Sequence, residues 1–164
     1  MASRSLVPLT LDDLRRLGAI AAADRETFFA RHPGTAALYR QGPFAVALCQ
    51  GGAQHFLDGF SGIKDFDVWS FYQESPVRMF PPRRIGKADL GDPKFGRSED
   101  SPQFIGRRVD LIGRSIQAKD VADPVHVLRS YLRSKKTLSA KLLSHKAMIL
   151  IEPPSLLGTV VWPE

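Results

Sequence analysis

Two aspartates separated by one residue, Asp65 and Asp67, are the side chains of this sequence best suited to chemistry. They stand in the run KDFDVW, whose aromatic and β-branched residues predict a strand at 65–72. On a strand, residues i and i+2 point to the same face, so both carboxylates project together. Two like charges side by side repel each other, and folding alone does not require such a pair. A divalent cation would relieve the repulsion, so the pair indicates a metal-binding strand.

A glycine pair, Gly51 and Gly52, lies upstream of the aspartates. It ends a continuous apolar run at 44–49, which predicts a strand buried on both faces. Glycines at the end of a strand let the backbone approach a phosphate closely, and the N–H groups of a following helix attract negative charge. The alternative interpretation is a tight turn, because glycine is common in turns everywhere.

A third carboxylate, Asp110, lies in a further predicted strand at 108–112. Two carboxylates on one strand and a third on its neighbour can hold two divalent cations. Such a pair of metals stabilises the attacking and leaving oxygens of an in-line phosphoryl displacement. Taken alone, Asp110 would instead be interpreted as an ion-pair partner of the adjacent Arg107 or Arg108. Asp65 has the same alternative, with an arginine or Lys64 as its partner.

The elements that must position these residues mix helices and strands. We predict helices at 11–23, 24–31 and 35–40, a helix start at 53–57, and two more helices beginning near 124 and 137. Short extended pieces at 148–151 and 160–162 complete the pattern. This mixture predicts an α/β (α+β) fold with a small mixed β-sheet flanked by helices. The length suits a single domain over residues 1–164.

A Pro/Gly/Arg-rich insert at about 73–106 separates the first two aspartates from the third. It holds five prolines, four glycines and six Lys or Arg, and it predicts a long irregular stretch with a functional role or high mobility. Its basic residues most simply form a solvated loop. With Phe80 and Phe95 between them, they could instead bind single-stranded nucleic acid by charge and stacking. The basic residues are Arg78, Arg83, Arg84, Lys87, Lys94 and Arg97.

Composition bounds the compartment and the partners. The formal net charge is +6, which fits either a well-solvated surface or attraction to phosphates. The single cysteine, Cys49, excludes an internal disulfide framework and a thiolate zinc site, and fits a reducing cytoplasm. The apolar runs are too short to span a bilayer, and residues 1–10 lack the apolar core of a signal peptide. We therefore expect a cytoplasmic protein with no membrane partner.

The order of these motifs resembles that of the DNA polymerase β-type nucleotidyltransferase superfamily. The similarity lies in LCQGGA at 48–53, KDFDV at 64–68 and VDL at 109–111, and covers less than a quarter of the chain. The closest branch is the small bacterial one that includes minimal nucleotidyltransferases and the nucleotidyltransferase-like proteins of toxin–antitoxin systems. The sequence departs from the family in having Ala53 and Gln54 where a basic residue often follows the glycines, and in the long link before Asp110.

The resemblance implies a role for each motif. Asp65 and Asp67 would ligate Mg²⁺ (or Mn²⁺), and Asp110 would share a metal and orient or deprotonate an acceptor hydroxyl. Gly51 and Gly52 would lie against the triphosphate of a nucleoside triphosphate. The reaction would transfer a nucleoside monophosphate to a hydroxyl of an RNA or protein acceptor and release pyrophosphate.

Lysines near these motifs are candidates for binding the phosphates. In the superfamily a helix after the third carboxylate often supplies such a lysine, which makes Lys141 and Lys146 candidates, and Lys64 adjoins the first aspartate. The alternative for the two later lysines is an exposed helix face. The alternative for the whole chain is a non-catalytic protein of the same fold that binds a nucleic acid or a protein partner, as in toxin–antitoxin systems.

Overall fold

The computed structural model describes residues 3–81 and 85–164. Its helices are α1 Leu11–Arg31, α2 Pro33–Leu38, α3 Gln50–Asp58, α4 Pro124–Ser134 and α5 Leu138–Leu143. Its strands are β1 Ala45–Cys49, β2 Phe66–Gln73, β3 Ile85–Asp89, β4 Arg108–Ile116, β5 Met148–Glu152 and β6 Val160–Trp162. Short 3₁₀ turns lie at Pro93–Phe95 and Pro154–Leu156.

One mixed sheet joins the strands in the order β3-β4-β2-β1-β5-β6. The pair β2 and β4 is parallel, and the other neighbouring pairs are antiparallel. Helices flank the sheet, so the predicted α/β class with a small mixed sheet is confirmed. None of the helices in the described ranges is long and apolar enough to cross a membrane.

Alternation along the strands gives each face of the sheet its own core. On one face Leu48 and Val68 pack with Leu17 of α1. On the other face Trp69 packs in a cluster with Leu128 of α4. Every residue of β1 is buried, as the apolar run predicted, because helices cover this central strand on both sides.

The first helix is longer than predicted. A capping box starts it: the Asp13 N–H donates to Thr10 Oγ1 at 3.2 Å, and the Thr10 N–H donates to Asp13 Oδ2 at 2.8 Å. The prediction of two helices divided at Asp24 was wrong. No glycine or proline lies between residue 19 and His32, so nothing in the backbone ends the helix before Arg31.

The described residues of the insert at 73–106 contain more regular structure than predicted. It contributes β3, which pairs with β4 at the edge of the sheet, and the 3₁₀ turn at 93–95. The sequence IGKAD of β3 has one β-branched residue and a glycine, so local propensity did not indicate a strand. Gly106 also packs tightly here: a Cβ at that position would lie 2.3 Å from the backbone oxygen of Asp92.

Two aromatic side chains of the insert, Phe80 and Phe95, are core residues. Phe80 stacks on Tyr72 with ring centroids 4.3 Å apart, Phe95 packs edge-on against Phe66, and each is 2 % exposed. The prediction that these rings could stack on single-stranded bases was therefore wrong, because neither ring is accessible. Arg83 and Arg84 lie outside the described residues.

Candidate functional site

The parallel pairing of β2 with β4 brings two of the predicted site residues together. Asp67 is the direct register partner of Asp110, and Asp65 stands just before β2. Residues paired in a ladder point to the same face, so the carboxylates of Asp67 and Asp110 are neighbours. Continued across the sheet, this row contains Cys49 on one side and Lys87 on the other.

A cleft of about 570 Å³ opens at this row. Asp65 and Asp67 border it, whereas Asp110 does not. Volumes of this order suit small-molecule and nucleotide ligands. The lining residues are Arg4, Gln50, Gly51, Lys64, Asp65, Asp67, Trp69, Ile85, Ile112, Leu142 and Lys146.

The cleft has an apolar half next to its acidic half. Trp69 and Ile112 follow Asp67 and Asp110 by two residues, so they occupy the next row on the same face. They are register partners, and Ile85 of β3 extends the row at the edge of the sheet. We call this row, Trp69 with Ile112 and Ile85, the apolar shelf. Strand alternation could have predicted its first two members from the positions of the aspartates.

The two glycines have different surroundings. Gly51 borders the cleft, and a Cβ there would meet nothing closer than Arg4 Nη1 at 3.9 Å. A Cβ on Gly52 would lie 3.2 Å from Leu48 Cδ1 and 3.4 Å from Phe66 Cδ1. Gly52 therefore lets α3 pack closely on the sheet, and Gly51 leaves room for a ligand. Both belong to the first turn of α3, which begins three residues before the predicted start at residue 53.

The junction between β1 and α3 is strained and incompletely hydrogen-bonded. Gln50 has a φ of 62°, a left-handed conformation that costs a non-glycine residue about 1–3 kcal/mol. Its Nε2 is buried without a hydrogen-bond partner in the described structure. The residue before the helix, Cys49, provides no side-chain cap. The first N–H groups of α3 are thus available for an anion.

Among the residues that the structure describes, the cations that border the cleft are Arg4, Lys64 and Lys146. Lys64 and Lys146 are both exposed and line it, so both remain candidates for binding phosphates. Arg4 joins them because Ser5 pairs with Ile63 through two backbone hydrogen bonds of 2.9 and 2.8 Å. No sequence signal pointed to Arg4. Lys141 is exposed on α5 and does not line the cleft.

Arg108 lies among the carboxylates. Its Nη2 donates to Asp110 Oδ2 at 3.1 Å and to Asp65 Oδ2 at 3.3 Å, and its Nη1 pairs with Asp100 of the insert. Its Nε is 3.0 Å from Asp110 Oδ1, although the two atoms are not aligned for a hydrogen bond. The ion-pair alternative for Asp65 and Asp110 is therefore realised in this structure. Asp65 pairs with Arg108 rather than with Lys64.

Ser98 of the insert supports the first aspartate. Its hydroxyl donates to Asp65 Oδ1 at 2.8 Å and accepts from the Arg108 N–H at 2.8 Å, and it is 4 % exposed. The adjacent Arg107 is also buried and donates to the backbone oxygens of Phe95, Lys64 and Ser3 at 2.6, 3.3 and 2.8 Å. Nothing in the local sequence indicated these long-range contacts.

Asp67 differs from its two neighbours because no hydrogen bond in the described structure engages its carboxylate. Burial, together with the charges of Asp110 and Asp65, raises the pKa of Asp67 to about 6, although Arg108 and Lys146 act in the opposite direction. An unpaired carboxylate beside two others is a suitable oxygen donor for a hard divalent cation. Together with the orphaned Oδ1 of Asp110, it makes the donor set fit Mg²⁺ or Mn²⁺.

The positions of the carboxylates are nevertheless not those of a formed metal site. Within residues 3–81 and 85–164, no group of three or more His, Cys, Asp or Glu side chains is placed to hold a metal ion. Arg108 lies between Asp65 and Asp110, where it contacts both. A cation bound by all three aspartates would require the guanidinium to move.

The other polar candidates are structural. His55 is 1 % exposed and its Nε2 contacts the Val7 backbone oxygen at 2.9 Å, which fixes the N-terminal segment against α3. Cys49 is fully buried, and burial raises the pKa of its thiol well above the ordinary value. Both side chains are therefore buried parts of the folded structure rather than members of the site.

Comparison with known proteins gives no match: the chain matches no protein-family model, no curated protein and no solved structure. Any functional proposal for this chain must therefore rest on its fold, its cleft and the arrangement of its charged residues.

Proposed function

We propose that this chain is a Mg²⁺- or Mn²⁺-dependent nucleotidyltransferase of the DNA polymerase β type. It transfers a nucleoside monophosphate from a nucleoside triphosphate to a hydroxyl acceptor. The observation that supports this most directly is the register pairing of Asp67 with Asp110 beside Asp65, at the acidic end of a cleft bordered by Gly51. A structural ion-pair cluster alone would not need a glycine-bordered cleft of nucleotide size next to it.

The triphosphate binds where the cleft is electropositive. The uncapped N–H groups at the start of α3 donate hydrogen bonds to the phosphate oxygens, and the open side of Gly51 leaves room for them. Lys146 and Lys64, which line the cleft, neutralise part of the phosphate charge. The strain at Gln50 is consistent with this role, because strained backbone is concentrated at ligand-binding sites.

The carboxylates act on the reacting groups. Asp65, Asp67 and Asp110 would hold the divalent cations, which supply Lewis-acid charge to the phosphoryl oxygens. The acceptor hydroxyl oxygen forms a bond to the α-phosphorus, the bond from that phosphorus to the bridging oxygen breaks, and pyrophosphate leaves. Asp110 orients the hydroxyl and takes its proton.

The acceptor is an RNA or a protein, and the site of action is the cytoplasm. The positive net charge supports an acceptor rich in phosphate or acidic groups. A non-catalytic binding role of the toxin–antitoxin kind is the alternative, but no observation in the described residues favours it over catalysis. Nucleic-acid binding by stacking of bases on Phe80 and Phe95 is excluded, because both rings are buried.

The decisive experiment follows label from two positions of the triphosphate. The chain is incubated with Mn²⁺, a mixture of cellular RNA and protein, and each nucleoside triphosphate labelled on the α- or the γ-phosphate. Nucleotidyl transfer labels an acceptor from the α-position only, whereas phosphoryl transfer labels it from the γ-position. The Asp65→Asn/Asp67→Asn variant is the control and should label nothing.

Thermal unfolding with and without metal separates the rival roles. Stabilisation by a nucleoside triphosphate that needs Mn²⁺ and disappears in Asp65→Asn/Asp67→Asn supports the enzyme. Nucleic-acid binding that is indifferent to those substitutions and is lost on replacing Arg83 and Arg84 would support the binding protein. Absence of both α-label transfer and metal-dependent nucleotide binding would reject the proposal.

A further inference from the structure

A single guanidinium, that of Arg108, forms ion pairs with several carboxylates at the acidic end of the cleft. Arg108 contacts Asp65, Asp110 and Asp100, and its side chain is only 17 % exposed. The side chains of Asp65 and Asp110 are similarly shielded, at 12 % and 16 %. Shielded charges interact more strongly than surface pairs, so this arginine compensates the charge of the site in the structure described.

In the part of the chain that the structure describes, Arg108 leaves the negative charge of one carboxylate, that of Asp67, without an ion-pair partner. Arg108 contacts Asp65 and Asp110 but makes no hydrogen bond or ion pair with Asp67, although Asp67 adjoins Asp110 in the ladder. Asp110 Oδ1 also has no properly aligned donor. The arginine therefore compensates two of the three carboxylates, and a divalent cation in its place would bring one more positive charge to the group.

The insert provides a third carboxylate partner for the same arginine. Asp100 pairs with Nη1, on the side away from Asp110, and its side chain is 53 % exposed. The Ser98 hydroxyl fixes the Arg108 backbone N–H at 2.8 Å and anchors the base of the side chain. With its backbone held and an exposed carboxylate at its far end, the guanidinium can leave the aspartates and remain paired.

We infer that Arg108 is a resident counter-cation that competes with the divalent metal, and that Asp100 receives its guanidinium when the metal enters. This inference rests on the proposed function, because it assumes that Asp65, Asp67 and Asp110 bind a metal. It gives the insert a specific task at the site: the insert sets how readily the metal displaces the arginine.

Direct titration of Mn²⁺ into the metal-free chain tests the inference without any nucleotide or acceptor. The affinity is measured by calorimetry, and by electron paramagnetic resonance of the free ion, for wild type, Arg108→Gln, Asp100→Asn and Glu99→Gln. Glu99 is the matched control because it is exposed, adjoins Asp100 and makes no ion pair with Arg108. Circular dichroism at the titration temperature checks that each variant is folded.

The two key variants should move the affinity in opposite directions. Arg108→Gln removes the competitor and should tighten Mn²⁺ binding by about tenfold or more, since a charge at this distance changes ionic equilibria by that order. Asp100→Asn removes the alternative partner and should weaken binding by about threefold, more than Glu99→Gln does. A merely structural role for Arg108 would weaken binding in both variants.

Several outcomes overturn the inference. Unchanged or weaker Mn²⁺ binding by a folded Arg108→Gln rejects it, and so does equal behaviour of Asp100→Asn and Glu99→Gln. The second comparison still decides if Arg108→Gln does not fold. If wild type and all variants bind no Mn²⁺, the proposed function fails and the inference fails with it. Binding by wild type with no gain in Arg108→Gln rejects the inference alone.

Discussion

Asp67 and Asp110 lie side by side across the parallel ladder of β2 and β4, and only Asp110 is paired with an arginine. Burial, followed by the charges of Asp110 and Asp65, raises the pKa of Asp67 from 3.8 to about 6. The ionised carboxylate therefore lowers the free energy of unfolding. This loss of stability is smaller when Asp67 is protonated or when a cation binds beside it. This relationship makes the site sensitive to pH as well as to metal.

The metal-free protein should lose stability as the pH rises from about 4 to about 7. A group whose pKa is raised by folding contributes its full stabilisation at a pH below its pKa in the unfolded chain. That stabilisation is lost as the pH rises through its pKa in the folded protein. For Asp67 the window is 3.8 to about 6, and the loss is about 2–3 kcal/mol at most. Thermal unfolding in the presence of a chelator, repeated across this pH range, measures the loss of stability.

The isosteric Asp67→Asn variant is the control, because it removes this titration and leaves the other groups in place. It should match wild type near pH 4 and unfold about 5–10 °C higher near pH 8. Equal melting temperatures at pH 8 would show that Asp67 carries no such cost. Excess Mn²⁺ should reduce the difference at pH 8 if the proposed site binds metal.

Alanine substitutions at the two glycines should affect different properties. The change at Gly51 should affect nucleotide binding, and the change at Gly52 should affect the stability of the fold. Gly51→Ala adds a methyl group into the open side of the cleft, so it should leave the free energy of unfolding unchanged or raised by up to about 1 kcal/mol. It should weaken nucleoside triphosphate binding, because the methyl group stands in the path of a phosphate. Gly52→Ala places a Cβ 3.2 Å from Leu48 Cδ1 and should cost about 1–2 kcal/mol.

Denaturant unfolding and nucleotide titration in Mn²⁺ are measured on both glycine variants. Each variant serves as the control for the other, since both add one methyl group to the first turn of α3. Greater destabilisation by Gly51→Ala than by Gly52→Ala would contradict the packing described. Equal nucleotide affinity in wild type and Gly51→Ala would place the phosphates elsewhere.

Ser98→Ala should destabilise the protein through the site rather than through packing. The serine hydroxyl is buried, donates to Asp65 Oδ1 and accepts from the Arg108 N–H, so its removal takes a hydrogen bond from each of these half-buried groups. The expected cost is about 1–3 kcal/mol in denaturant unfolding. The exposed Ser155→Ala is the comparison and should change stability by less than about 0.5 kcal/mol. Equal effects would mean that Ser98 is not a support of Asp65.

What the sequence predicted correctly depends on short-range patterns. The aromatic and β-branched residues at 65–72 predicted the strand that brings Asp65 and Asp67 to the same cleft, and the apolar run at 44–49 predicted the buried strand. The capping box at Thr10 gave the start of α1. Each is decided within a few residues, where periodicity and side-chain chemistry dominate.

What the sequence did not predict depends on distant partners. Ser98 contacts Asp65 and Arg4 lines the cleft because the chain returns there through tertiary pairing, and no local pattern records this. The strand β3 forms because β4 offers a free edge, which overrides weak propensity. The pairing of Asp67 with Asp110 was expected only from motif order, and the strand register of β2 and β4 gives it a physical basis.

Lys146 should matter for nucleotide binding, and Lys141 should not. Both lysines are exposed and lie five residues apart, but only Lys146 lines the cleft and lowers the pKa of Asp67. Lys146→Ala should weaken nucleoside triphosphate binding by about tenfold through the loss of a phosphate-pairing charge, while Lys141→Ala should stay near wild type. Calorimetric titration in Mn²⁺ compares the two. Lys146→Ala should also raise the pKa of Asp67 further, visible as a later drop of stability with pH. Equal affinities in both variants would remove Lys146 from the phosphate site, because the two substitutions change the net charge identically.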